Sequence, residues 1–139
     1  MWVMIKKELP PNIENIRLAG FGTDPEGIYA YAPDVFSLSK KEIPADIQYH
    51  EDIHIQRQGD SPLLWWHKWL TDKDFRLEEE LEAYARQAQW VKKNLGSKAA
   101  KEGLDEFAEN LSSSMYKLNI NFHKAHAMIR RKIQDDKKI

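Results

Sequence analysis

The chain reads as an α+β domain, a small antiparallel sheet packed on about three main helices. Three observations predict this class. Residues 1–43 carry short β-prone runs broken by Pro10-Pro11 and by the turn-forming stretch 22–27. Residues 44–59 form a helix-length segment with proline at its start and glycine at its end. From Phe75 onward, apolar residues recur at spacings of three and four, the period of a helix with one buried face.

The elements follow in order. Residues 16–21 (Ile-Arg-Leu-Ala-Gly-Phe) are expected as a strand, with 22–27 as the turn and 28–32 returning beside it. Residues 35–38 add a third short strand. Pro44 suits the first turn of a helix that runs to about Gln58, where Gly59 stops it. Residues 63–70, LLWWHKWL, form a buried short helix or a packed loop, with Trp65, Trp66 and Trp69 as core. The next helix spans residues 75–94, and its apolar face is Leu77, Leu81, Tyr84, Ala88 and Val91. Residues 97–103 read as a connection. A last helix covers 104–134 with the stripe Phe107, Leu111, Met115, Leu118, Phe122, Ala125 and Ile129, interrupted or kinked near Asn119 to Asn121.

Length and composition fit a single domain over residues 1–139. Hydrophobic content of 42% and charged content of 31% are those of a globular protein. With 21 basic and 22 acidic residues, no global field favours nucleic acid or an anionic membrane as partner. The basic end (Arg130, Arg131, Lys132, Lys137, Lys138) lacks interleaved aromatics and reads as a solvated terminus. The start, Met1 to Lys7, does not read as a signal peptide, and no stretch has the apolar length of a membrane span. The expected location is cytoplasmic.

There is no cysteine, which excludes disulfides and thiolate metal sites. A metal would need histidine and carboxylate ligands. His50 and His54 are four apart, one turn above each other on the same helix face. Two imidazoles so placed suit one zinc ion, and Glu51 beside them is positioned to act on a metal-bound water. Chance yields this HExxH pattern in roughly one or two shuffled chains per hundred, so the pentapeptide alone competes with a surface helix carrying two solvated histidines.

The third ligand is sought on the acidic helix. At 100° per residue, Glu82 falls opposite the apolar face and Glu79 lies far out. Glu80 sits at the margin of the buried face, where a carboxylate needs a partner. The competing reading pairs Glu80 with Arg76, one turn earlier. Glu80 is the favoured ligand, with Glu82 or Glu78 as alternatives.

Taken together, His50-Glu51-Asp52-Ile53-His54 and Glu80-Leu81-Glu82-Ala83-Tyr84 resemble the gluzincin zinc peptidases, especially small single-domain forms with an HExxH helix and a Glu-x-x-Ala helix. The resemblance covers roughly residues 28–90 and rests on short motifs. It implies a minimal zincin-like architecture, Zn2+ held by His50, His54 and Glu80, and Glu51 as the catalytic base. The implied reaction is hydrolysis of a peptide bond in a peptide or protein substrate. Asp52 is charged where such motifs usually carry an uncharged residue, and Tyr84 stands where many relatives have Asp or Asn.

Other residues complete the expectations. Residues 28–32 offer a sheet edge on which an extended peptide would pair, although an ordinary strand packed by Tyr29 and Tyr31 is the simpler reading. His123 and His126 read as core-edge or solvated histidines, and His67 as a histidine packed within the tryptophan cluster. Two further function classes remain beside the peptidase. One is a non-catalytic domain that zinc locks together, and the other is a metal-free helical interaction module.

Overall fold

The computed structural model describes residues 4–137, and these contain six helices and one three-stranded sheet. The α+β class therefore holds, with more and shorter helices than expected. Met1 to Val3 and the basic residue Lys138, with Ile139, lie outside the described residues. Contacts divide the chain into two units, Met1–Asp72 and Lys73–Ile139.

The first unit holds β1 (Ile5–Lys6), α1 (Ile13–Leu18), β2 (Tyr29–Tyr31), β3 (Asp34–Phe36), α2 (Ala45–Gln58) and α3 (Pro62–Thr71). The sheet order is β1-β3-β2. β2 runs antiparallel to β3 with Ala30 opposite Val35, while β1 runs parallel to β3 with Ile5 opposite Val35. The sheet is thus mixed, not all antiparallel. The hairpin also lies elsewhere than expected: it joins β2 to β3 through Ala32-Pro33, and residues 22–27 are not its turn.

The strand expected at 16–21 is a correction of a different kind, because those residues close α1. Gly20, at φ 86°, takes the left-handed position after the helix. Its N–H donates to the Arg17 carbonyl and the Phe21 N–H donates to the Ile16 carbonyl. That pair of bonds is a Schellman closure, and Ile16 and Phe21, which hold the positions of the motif's usual apolar pair, are both buried. A six-residue run with two isoleucines carries too little periodicity to separate helix from strand.

α2 begins after Pro44, whose carbonyl accepts from the N–H groups of Ile47 and Gln48. It ends at Gly59, where φ is 56°. α3 has Pro62 in its first turn, and its Trp65, Trp66 and Trp69 are buried, as the core reading requires. Their rings pack in sequence, 5.4 Å between Trp65 and Trp66 and 5.3 Å between Trp66 and Trp69, with Phe21 4.9 Å from Trp69. His67 is the exception. It points away from this cluster and is exposed, beside a groove also lined by Leu18, Leu63 and Leu64.

The second unit is a bundle of α4 (Lys73–Leu95), α5 (Ser97–Ser112) and α6 (Phe122–Lys137), each packed on the other two. Its core joins Leu81, Tyr84, Ala88 and Val91 of α4 to Phe107, Ala108 and Leu111 of α5 and Ala125 and Ile129 of α6. Two expectations fail here. Residues 97–103 are the start of α5, which follows Gly96 at φ 96°, and the single helix over 104–134 is two helices. Between them Lys117 and Asn119 adopt φ of 52° and 57°, which a continuing helix forbids. Asn121 then starts α6 by accepting the Lys124 N–H on its side chain at 2.8 Å. The break turns Leu118 into the core, 1% exposed, and leaves Met115 outside.

α6 ends on an unfavourable charge. The Asp136 carboxyl is held above the ordinary carboxylate value of 3.8, first by burial and then by the nearby Glu82 charge. The folded state therefore keeps its proton at pH values where the unfolded chain has lost it. The associated stability is present below about pH 3.8 and is lost as pH rises through the raised value. Asp136→Asn is expected to raise the unfolding temperature near neutral pH, with the gain shrinking on acidification. Thermal melts from pH 3 to pH 7 check this, and a gain that grew towards acid would refute it.

Among the described residues, no helix is long and apolar enough to cross a membrane.

Candidate metal centre

α2 is unusual in what it buries. Its inward residues are His50, Glu51, Ile53, His54 and Gln58, so four of five are polar. Buried polar groups need partners, and a helix face of this composition is one that apolar packing alone does not explain. The His50 and His54 rings lie with centroids 4.8 Å apart and planes at 79°. His54 also rests on Trp65, at 5.2 Å. Ile53, on the same helix, is 1% exposed and anchors it in the core.

Asp52 turns the other way. It is half-buried, and its carboxylate accepts from Gln56 one turn later at 3.0 Å. The charge that departs from the peptidase pattern is thus taken up along the helix surface.

On α4 the three candidate carboxylates separate by partner. Glu78 is exposed and accepts from Lys132 at 2.7 Å. Glu82 is paired with Arg86 at 3.3 Å and is 8% exposed, against the expectation that it faces solvent. Glu79, also expected far out, is 4% exposed. Glu80 is 2% exposed. Arg76, the competing partner for Glu80, donates through Nε to the Tyr116 carbonyl at 2.8 Å. Tyr84 packs its ring on Phe107 at 5.3 Å and hydrogen-bonds the Tyr116 hydroxyl at 2.8 Å.

His50, His54 and Glu80 form a buried group that could hold a metal ion: one ligand atom from each lies within 4.8 Å of the others. Two imidazoles and a carboxylate are also a donor set that zinc accepts when thiolates are absent.

The remaining histidines are accounted for separately. His126 lies 3.0 Å from an Asp105 oxygen, a partner 21 residues away that helix spacing could not reveal. His123 is exposed and packs edge-on against Phe122.

The sheet edge expected to receive a peptide is already occupied. β2 is an edge strand, and Gln58 covers it with both ends of its amide. Its Nε2 donates to the Ala30 carbonyl at 2.8 Å, and its Oε1 accepts the Ala32 N–H at 2.7 Å. Trp66 Nε1 donates to the same Ala30 carbonyl at 2.9 Å. Strand addition at Ala30 and Ala32 would have to displace these bonds. Gln58 was missed in the sequence because its partners lie 26 and 28 residues away; its spacing of four from His54 was the available signal.

No protein-family model, no curated protein and no solved structure matches the chain.

Proposed function

We propose that the chain is a zinc-dependent peptidase of gluzincin type, with His50, His54 and Glu80 as ligands and Glu51 as general base. The observation that carries the reading is a buried His-His-Glu donor group drawn from an HExxH pentapeptide and an acidic helix. A zinc ion there would supply Lewis acidity, activating a water near neutral pH and polarising the scissile carbonyl. Glu51, next to His50 on α2, would be the residue placed to accept a proton from such a water and return it to the leaving amine. His50 and His54 would supply ring nitrogens to the ion, and the Glu80 carboxylate would offset part of its charge.

A second reading is favoured by a specific observation. His50, Glu51, His54 and Glu80 are each less than a tenth exposed, which leaves little room for a substrate carbonyl. Zinc would then stabilise the fold without turnover.

Glu51→Gln separates the two. It removes the base and keeps the ligands, so zinc content is expected to stay at the wild-type level. Cleavage of an unfolded protein substrate is expected to fall by about 10²–10⁴-fold, the usual worth of general base catalysis. Wild type and variant that both carry zinc and are equally inert would overturn the peptidase reading in favour of the structural one.

A further inference from the structure

His50, His54 and Gln58 are spaced four and four along α2, and all three are buried. At about 1.5 Å per residue they stand about 6 Å apart in a stripe that drifts about 40° per step. The first two carry imidazoles. The third carries an amide that bridges the two peptide units flanking Tyr31 at the β2 edge, donating to the Ala30 carbonyl and accepting from the Ala32 N–H. Both bonds are short, the one to Ala30 is buried and the one from Ala32 part-buried, and they cross from helix to strand rather than running along the helix.

We infer that Gln58 is the positioning residue of the His50–His54 pair, fixing the rotation and height of α2 through its two-bond clamp on β2. This rests on the zinc reading above. Apolar burial has no preferred direction, so it sets the rotation of a helix less sharply than a hydrogen bond does. A two-point hydrogen bond to a strand is directional: turning the helix would take the Gln58 amide from the Ala32 N–H and leave the Ala30 carbonyl with the Trp66 indole alone. One turn from Gln58, the His54 ring is carried round by any such roll, and His50 with it. Outer partners that orient metal ligands typically change metal affinity by about 10–100-fold when removed.

Trp66 provides the control that a purely structural role would not survive. Its indole donates to the same Ala30 carbonyl and it too is buried, but it lies on α3, so its bond to β2 does not come from α2. Gln58→Met keeps the side-chain length and removes both bonds; Trp66→Phe keeps an aromatic ring and removes one bond. Zinc affinity of the full chain is measured by competition with a chromophoric chelator. The visible spectrum of the cobalt-loaded protein reports ligand geometry, and circular dichroism reports helix content.

The expected result is zinc binding weakened about 10–100-fold in Gln58→Met, with an altered cobalt spectrum and retained helix content. Trp66→Phe is expected to lower the unfolding temperature while leaving zinc affinity within about twofold of wild type. Two results overturn the positioning role: unchanged affinity in Gln58→Met, or equal weakening in both variants. The failure of the underlying zinc reading looks different, since wild type itself would then bind neither zinc nor cobalt, and the role of Gln58 would fall with it.

Discussion

His54→Ala is expected to abolish stoichiometric zinc binding and with it the zinc-dependent rise in unfolding temperature. Wild type should carry about one zinc per chain after reconstitution near pH 7. A metal that binds the folded state alone adds about 2.7 kcal/mol of stability at a free concentration one hundred times its dissociation constant. For a chain of this length that corresponds to roughly 10 °C. His54 also packs on Trp65 at 5.2 Å, so alanine there lowers stability whether or not a metal binds. The informative quantity is therefore the difference between melts with zinc and with chelator, not the absolute temperature. In wild type that difference should be about 10 °C under such saturation, and in His54→Ala about 1 °C or less. Elemental analysis of the dialysed proteins gives the stoichiometry independently. Equal zinc content and equal zinc-dependent shifts in the two proteins would exclude His54 as a ligand.

How much of this was legible in the sequence depends on whether the cause was local. α2 was placed within a residue or two because Pro44 and Gly59 act on their own backbone. The tryptophans of α3 declared themselves by size and apolarity, although not the direction in which His67 would point. α1 was misread because Ile13 and Ile16 suit either a helix or a strand, and the deciding element was Gly20 closing the turn. The split between α5 and α6 was half visible: Asn119 and Asn121 marked it. Leu118 was in the expected stripe and is in the core; what the sequence could not supply was that it reaches the core from an irregular segment, between the left-handed residues Lys117 and Asn119, while Met115 is left outside.

The candidate centre divides in the same way. The histidine pair follows from a spacing of four on one helix. Glu82 shows the limit of a helical wheel, since burial beside Asp136 and pairing with Arg86 override its polar-face position. The closure of the β2 edge by Gln58 depends wholly on the tertiary fold, because one amide must meet two backbone groups on a strand far away in sequence.

The largest loss of stability from a single side chain is expected at Leu111. It is 0% exposed on α5 and belongs to the core shared with Leu81, Tyr84, Ala88, Phe107, Leu118 and Ile129. Leu111→Ala removes apolar atoms from this core and leaves a cavity that rigid neighbours fill only in part, at a cost of about 2–5 kcal/mol. Against a total of about 5–15 kcal/mol for a domain, this is enough to unfold a sizeable fraction of the protein at elevated temperature. Leu63 on α3 is the matched comparison, because it is 63% exposed and its truncation removes little buried surface. Leu63→Ala should change stability by less than about 0.5 kcal/mol. Urea unfolding followed by circular dichroism gives both values, and a separate transition of the second unit would carry the Leu111 effect alone. A loss below about 1 kcal/mol in Leu111→Ala would mean that the three-helix core relaxes around the gap, contrary to the dense packing that its burial implies.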